Sequence, residues 1–292
     1  MKIVVSGGTG FIGEALVRRL VARGDDVAVL SRNPGKVRSG RGISWDAADQ
    51  IAAADAVINL AGENIGARWT EERKRRIFDS RVKATSALVD AMKRQPRSDR
   101  TFISASAVGY YGPRGDDTLD ESGDSGSGFL AEVTRKWEEL ARDAEGVARV
   151  AITRFGVVLG KDGGALQKLL LPFRLGVGGP VGSGRQWMSW IDREDVIAFI
   201  EWAIDHHSAR GVYNVTAPEP VTNRQFAKVL GRVLHRPAIL PAPAFALRLA
   251  FGDMADETLL SGQRVVPARA TREGFVFRYP TLDASLRHAI SS

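Results

Sequence analysis

The sequence predicts an α/β protein built on a doubly wound parallel sheet, with a smaller, mostly helical C-terminal region. Three observations predict it. Short apolar runs alternate with helix-period patterns through the first half of the chain. A glycine-rich turn, SGGTGFIG, joins the first apolar run to the first helical pattern. After Gly160 the alternation gives way to a glycine-rich stretch and then a Pro-marked tail.

The elements follow in order. Residues 3–5 read as a buried strand. Residues 11–22 read as a helix, with Phe11, Ala15, Leu16, Leu20 and Val21 on one face. Residues 27–30 and 56–60 are the next strands, and 71–94 a long helix. Residues 101–104 form a strand, 129–144 a helix and 149–153 a strand. Repeated βα units of this kind build a parallel sheet covered on both faces. Beyond the loop LGVGGPVGSGRQ, residues 195–205 and 223–234 read as helices around a strand, GVYNVT. Residues 1–160 are therefore expected to form the sheet domain, completed by about 192–217. Residues 161–191 and 218–292 are expected to form the substrate side and the C-terminal region.

Composition restricts the function classes. The chain has 292 residues, 44% hydrophobic and 26% charged, with no cysteine. A thiolate metal site or a disulfide framework is excluded. The formal charge is +7, but the densest basic run, EERKRRIFDSRVK, interleaves acids and has helical period, as a solvated helix face does. No nucleic-acid motif accompanies it, so nucleic acid is not an expected partner. No apolar run approaches a membrane span. A cytoplasmic monomer or homodimer acting on a small molecule is the expectation.

The turn from Ser6 to Gly13 carries the first chemistry. Gly7 and Gly8 permit a tight turn, Gly10 lets the backbone approach a pyrophosphate, and Gly13 lets helix and strand pack closely. With Thr9, Phe11 and Ile12 they form a Rossmann-type phosphate cradle at a helix N-terminus, where free N–H groups meet an anion. The second strand then ends in Leu30, Ser31 and Arg32. An acid there would bond the ribose hydroxyls of NAD. A hydroxyl and a guanidinium instead suit the additional phosphate of NADP(H). Asp46, after the third strand, is placed to accept from the adenine amino group.

SGGTGFIG, INLAG at 58–62 and SASAVGYYG at 104–112 resemble the extended type of the short-chain dehydrogenase/reductase superfamily. RWTEERKRRIFDSRVKAT, RFGVVLGKDGGAL, GSGRQWMSWIDREDV and GFVFRYPTLDASL resemble its NAD(P)-dependent epimerase/dehydratase-like branch, members of which are sometimes called cell division inhibitor. The resemblance covers nearly the whole chain. It implies that Leu60, Ala61 and Gly62 line the cofactor, and that Ser106 is the catalytic serine, with Ser104 as the other register.

That superfamily's usual acid is the tyrosine of Tyr-x-x-x-Lys, where the ammonium one helical turn on lowers the phenol pKa. Here the helix reads GFLAEVTRKWEEL, which puts Leu130 and Thr134 at those positions. No Tyr-x-x-x-Lys occurs anywhere in the chain. Three readings follow. Tyr110 or Tyr111 donates the proton, with Glu121 and Glu132 as weaker candidates; serine and solvent act alone; or the cofactor is bound without turnover.

The substrate side departs from the family as well. GSGRQWM keeps Gln186 but has Met188 where sugar-nucleotide members carry a diphosphate-gripping arginine. Arg154-Phe155-Gly156-Val157 lacks the asparagine of Arg-x-x-Asn, and Arg81 replaces the asparagine of the catalytic tetrad. Asn64, Arg154, Gln186, Trp187 and Trp190 are the substrate candidates, suited to a less charged, partly apolar carbonyl compound. His206, His207, His235 and His288 lack metal-ligand spacing, so no metal site is expected.

Overall fold

The computed structural model describes residues 1–291. Seven strands form one parallel sheet: β1 (Lys2–Ser6), β2 (Asp26–Leu30), β3 (Arg41–Ile43), β4 (Ala56–Asn59), β5 (Thr101–Ala107), β6 (Arg149–Phe155) and β7 (Gly211–Val215). Their spatial order is β7-β6-β5-β4-β1-β2-β3. The winding reverses between β1 and β4, and a crevice at the strand C-termini opens at such a reversal. The strands are apolar on both faces because both are covered. Ile3, Val4 and Val5 are all buried, each side chain worth about 1.5–3 kcal/mol when removed from water.

The longer helices are α1 (Gly13–Ala22), α2 (Glu71–Lys93), α3 (Phe129–Arg142), α4 (Gly164–Arg174), α5 (Arg193–Asp205), α6 (Asn223–Leu234), α7 (Ala244–Phe251) and α8 (Leu282–Ser291). Their starts are encoded locally. Thr70 caps α2 by accepting from Arg73 N–H, and Asp192 caps α5 by accepting from Glu194 N–H. Thr222 and Gln225 close a capping box on α6. One core cluster packs α1 and α5 on one sheet face; a second packs α2 on the other. A third unites α4, α6 and α8 beside the sheet.

Two bounds differ from the pattern in ways that matter. α1 starts at Gly13 rather than residue 11, because Phe11 and Ile12 belong to the turn. β5 runs on to Ala107 rather than ending at Ser104, so that both serines lie inside a strand. No helix among the described residues is long and apolar enough to cross a membrane. Nor do those residues place three or more His, Cys, Asp or Glu side chains together as a metal site.

Candidate functional site

The glycine turn is built by steric exclusion. Gly7 has φ +72°, and a Cβ on it would lie 2.5 Å from the Leu60 carbonyl oxygen. A Cβ on Gly13 would lie 2.2 Å from the Gly7 oxygen, and one on Gly8 would lie 2.7 Å from Val29 Cγ1. Gly10 is different: the one atom near its Cβ position is the Gly7 oxygen, at 3.2 Å. Its outer side is open for a ligand. The first helical bond runs from Glu14 N–H to the Gly10 carbonyl at 2.9 Å, so the N–H groups of Phe11, Ile12 and Gly13 precede the hydrogen-bonded ladder. Such a cradle fits a pyrophosphate.

Phe11 does something its place in the motif does not reveal. Its ring fills the space beside Gly160, Gly163 and Gly164, where any Cβ would come within 2.9 Å of it. Arg193 stacks over the ring at 4.9 Å. Phe11 thus bolts the turn to the segment after β6, and the glycines after Gly160 are small because that ring is there.

At the end of β2, Ser31 N–H donates to the Ile43 carbonyl, and Ser31 Oγ accepts from Asn33 N–H. Arg32 is exposed and makes no ion pair among the described residues. Asp46 is exposed and accepts a hydrogen bond from Ser44 Oγ. A free guanidinium and a hydroxyl therefore occupy the edge where an acid would repel a phosphate.

A polar ladder crosses the sheet beneath the crevice. Ser6 Oγ donates to Asn59 Oδ1 at 2.7 Å, while Asn59 Nδ2 donates to Thr85 Oγ1 at 2.9 Å and to Ser104 Oγ at 3.4 Å. All four groups are buried. Sequence reasoning missed Asn59 and Thr85. The available signal was that Ser6, Asn59 and Ser104 each follow an apolar run, and the sheet pairs them in register. Just beyond, Leu60 and Ala61 press against Gly7, and Gly62 is exposed.

Four site expectations need correction. Ser106 is 2% exposed, and its hydroxyl donates to Glu138 Oε1 at 2.7 Å. Strand alternation turns Ser104 and Ser106 towards α3, and the continuation of β5 keeps Ser106 inside the sheet. Arg154, its partner in register on β6, is buried and spends its guanidinium on a two-pronged ion pair with Glu138. Burial alone would lower the guanidinium pKa; Glu138 reverses this and raises it. Tyr111 is fully buried. Its hydroxyl accepts from Arg154 Nη1 at 2.9 Å and lies 2.7 Å from Asn214 Oδ1, to which it donates. Burial pushes that phenol up to about 12. Trp190 is a core residue, fully buried, with its indole N–H donating to the Glu219 carbonyl.

Tyr110 is placed otherwise. It is half-buried in the short helical turn Val108–Tyr111 that ends β5. The Arg154 guanidinium lies 3.4 Å from its ring centroid, and Tyr111 meets it edge-on. Gly109 next to it packs against Leu130: a Cβ there would lie 3.1 Å from the leucine's. Leu130 and Thr134, at the family's Tyr and Lys positions, supply no proton relay, since the buried Thr134 hydroxyl bonds back to the Leu130 and Ala131 carbonyls.

The remaining substrate candidates lie outside the main sheet, Asn64 and Gln186 on loops and Trp187 on a short strand paired with Thr222. Gln186 is held by the Val181 and Leu259 carbonyls. Half-buried Trp187 donates to Asp116 and lies under Arg264. Exposed Asn64 accepts from Gly66 N–H. Glu121, a weaker acid candidate, accepts from the N–H groups of Asn214 and Arg269, and burial raises its pKa. Glu132 is exposed.

Comparison with known proteins agrees with this architecture. Residues 3–216 match the NAD dependent epimerase/dehydratase family, and residues 242–289 match a domain of unknown function, DUF1731. The chain is 39% identical to the human epimerase family protein SDR39U1, with all of both chains covered. Epimerase family protein YfhF of Bacillus subtilis is 39% identical, over all of this chain and 98% of that one. A crystal structure of the human protein with NADPH superimposes with a TM-score of 0.92 at 38% identity, covering both chains completely.

Proposed function

The chain belongs to the NAD dependent epimerase/dehydratase family, and from that premise we propose that it is an NADP(H)-binding oxidoreductase. It moves hydride to or from a small carbonyl or alcohol, as a net reaction or as the opening half of an epimerase or dehydratase cycle. The observation that carries this reading is the glycine cradle ending at an acid-free β2 edge, with Arg32 exposed and unpaired there. The NADPH bound to the human relative supports it.

Gly7, Gly8, Thr9, Gly10, Phe11, Ile12 and Gly13 hold the pyrophosphate, chiefly through backbone N–H groups. Ser31 and Arg32 hold the 2′-phosphate and Asp46 the adenine. Leu60, Ala61 and Gly62 line the second half of the dinucleotide. The cofactor, when bound, supplies or accepts the hydride. Tyr110 is the proton donor, because it is the half-exposed phenol at the open end of β5. Ser106, Tyr111, Glu138 and Arg154 are positioning residues that fix its ring. Asn64, Gln186 and Trp187 border the substrate.

A second reading is a cofactor-binding regulator without turnover. It is favoured by Leu130 and the self-bonded Thr134 at the positions of the usual acid and its ammonium.

Thermal unfolding with NADPH and with NADH tests the cofactor assignment. A ligand at a hundred times its Kd stabilises by about 2.7 kcal/mol. NADPH is expected to give the larger shift, and Arg32→Ala to erase the difference; a larger shift with NADH overturns the assignment. A carbonyl library read by NADPH consumption then separates enzyme from regulator.

A further inference from the structure

We propose that Arg81 supplies, from α2, the cation that α3 lacks at Thr134, and that its free edge binds the ribose hydroxyls on the reacting side of the dinucleotide. This rests on the cofactor reading above.

Arg81 is fixed by its helix. Ile77 and Thr85 lie one turn either side of it on the same face. Ile77 is fully buried, and Thr85 is bonded to Asn59 at the end of β4. The guanidinium is thereby brought to the β4 terminus. Nη1 donates to the carbonyls of Ile77 and Glu63, at 3.0 and 3.2 Å. Nε and Nη2 have no acceptor among the described residues. A Cβ on Gly62 would lie 3.0 Å from Cζ, 3.1 Å from Nη2 and 3.3 Å from Nε. The unused edge therefore borders the space at exposed Gly62.

On its other side the guanidinium lies 5.0 Å from the centre of the Trp137 ring. Trp137 follows Thr134 by three residues, so both lie on one face of α3. The Trp137 Nε1–H is itself buried without an acceptor among the described residues. Arg81 has no direct carboxylate partner among the described residues. The nearest acid, Glu63, lies 3.5 Å from Arg73, and burial holds the Arg81 pKa down at about 10. A half-buried cation answered by carbonyls alone, with two parallel donors unused, is suited to a pair of adjacent oxygens.

Strand order identifies those oxygens. The sheet runs β2-β1-β4-β5. The 2′-phosphate site is at the end of β2, the pyrophosphate cradle at β1 and Tyr110 at β5. Gly62, just past β4, comes between the pyrophosphate and the reacting ring, where the second ribose lies.

Two ligands test this: NADPH, and adenosine 2′,5′-bisphosphate, which lacks the second ribose. Their Kd values would be measured by calorimetry on wild type, Arg81→Gln and Arg81→Lys. Arg81→Gln is expected to weaken NADPH by about tenfold or more and to leave the bisphosphate within about twofold. Arg81→Lys is expected to fall between. Retained bisphosphate binding also reports that the variant is folded. Equal weakening of both ligands, or no change in NADPH, overturns the role of Arg81 while leaving the cofactor reading intact. Failure of wild type to bind either ligand overturns the cofactor reading, and this inference with it.

Discussion

Glu138 on α3 holds Arg154 on β6 with both carboxylate oxygens, Oε1 to Nε at 2.7 Å and Oε2 to Nη2 at 2.8 Å. Both side chains are buried. The pair gathers Ser106 on Glu138 and the Tyr111 hydroxyl on Arg154, so one ion pair sets the shape of the β5 terminus.

Removing one partner of such a pair strands the other charge. Glu138→Gln keeps the shape and loses the counter-ion, and is expected to cost about 3–5 kcal/mol. Urea unfolding should show a lower midpoint at unchanged slope. An unchanged midpoint would mean that the network carries no stability.

Gly13→Ala pushes a methyl to 2.2 Å from the Gly7 carbonyl. Overpacking of this kind costs about 1–3 kcal/mol, and the turn it displaces is the phosphate cradle. NADPH affinity should fall together with the melting temperature. Gly146→Ala is the control: nothing lies within 4 Å of its Cβ position, so it should stay within about 0.5 kcal/mol of wild type.

The two neighbouring tyrosines should separate cleanly. Tyr111→Phe removes the hydroxyl that joins buried Asn214 Oδ1 to Arg154 Nη1 and should cost about 1–3 kcal/mol of stability. Tyr110→Phe should leave stability within about 0.5 kcal/mol and lower turnover by about 10²–10⁴-fold. Full turnover in Tyr110→Phe would remove it as the donor.

Alkali should destabilise the fold through Tyr111. Its folded pKa, about 12, lies above the ordinary value of 10.0. The unfolded chain therefore releases this proton first. The stability contributed by the neutral phenol is complete below pH 10 and is lost as pH rises towards 12, by about 1.4 kcal/mol per pH unit. Tyr213 is shifted in the same direction, also chiefly by burial. Chemical unfolding from pH 9 to 11.5 should show this decline, and Tyr111→Phe should flatten it.

The glycine turn was legible in the chain itself, and so were the alternation of strands and helices and the acid-free end of β2. Each is a local requirement: a positive φ at Gly7, a missing Cβ at Gly13, a residue type at Ser31 and Arg32. The neighbourhoods of Ser106, Tyr111, Arg154 and Trp190 were not legible. Motif spacing places a residue on an element, but whether its side chain meets solvent or another element depends on where the strand ends and what crosses it. Three more residues of β5 set Ser106 opposite Arg154, and α3 then laid Glu138 over both. Only the tertiary structure decided that, because Ser106, Glu138 and Arg154 sit on three different elements and meet only when the sheet closes under the helix. For the same reason only the fold could bring Arg81 to Gly62.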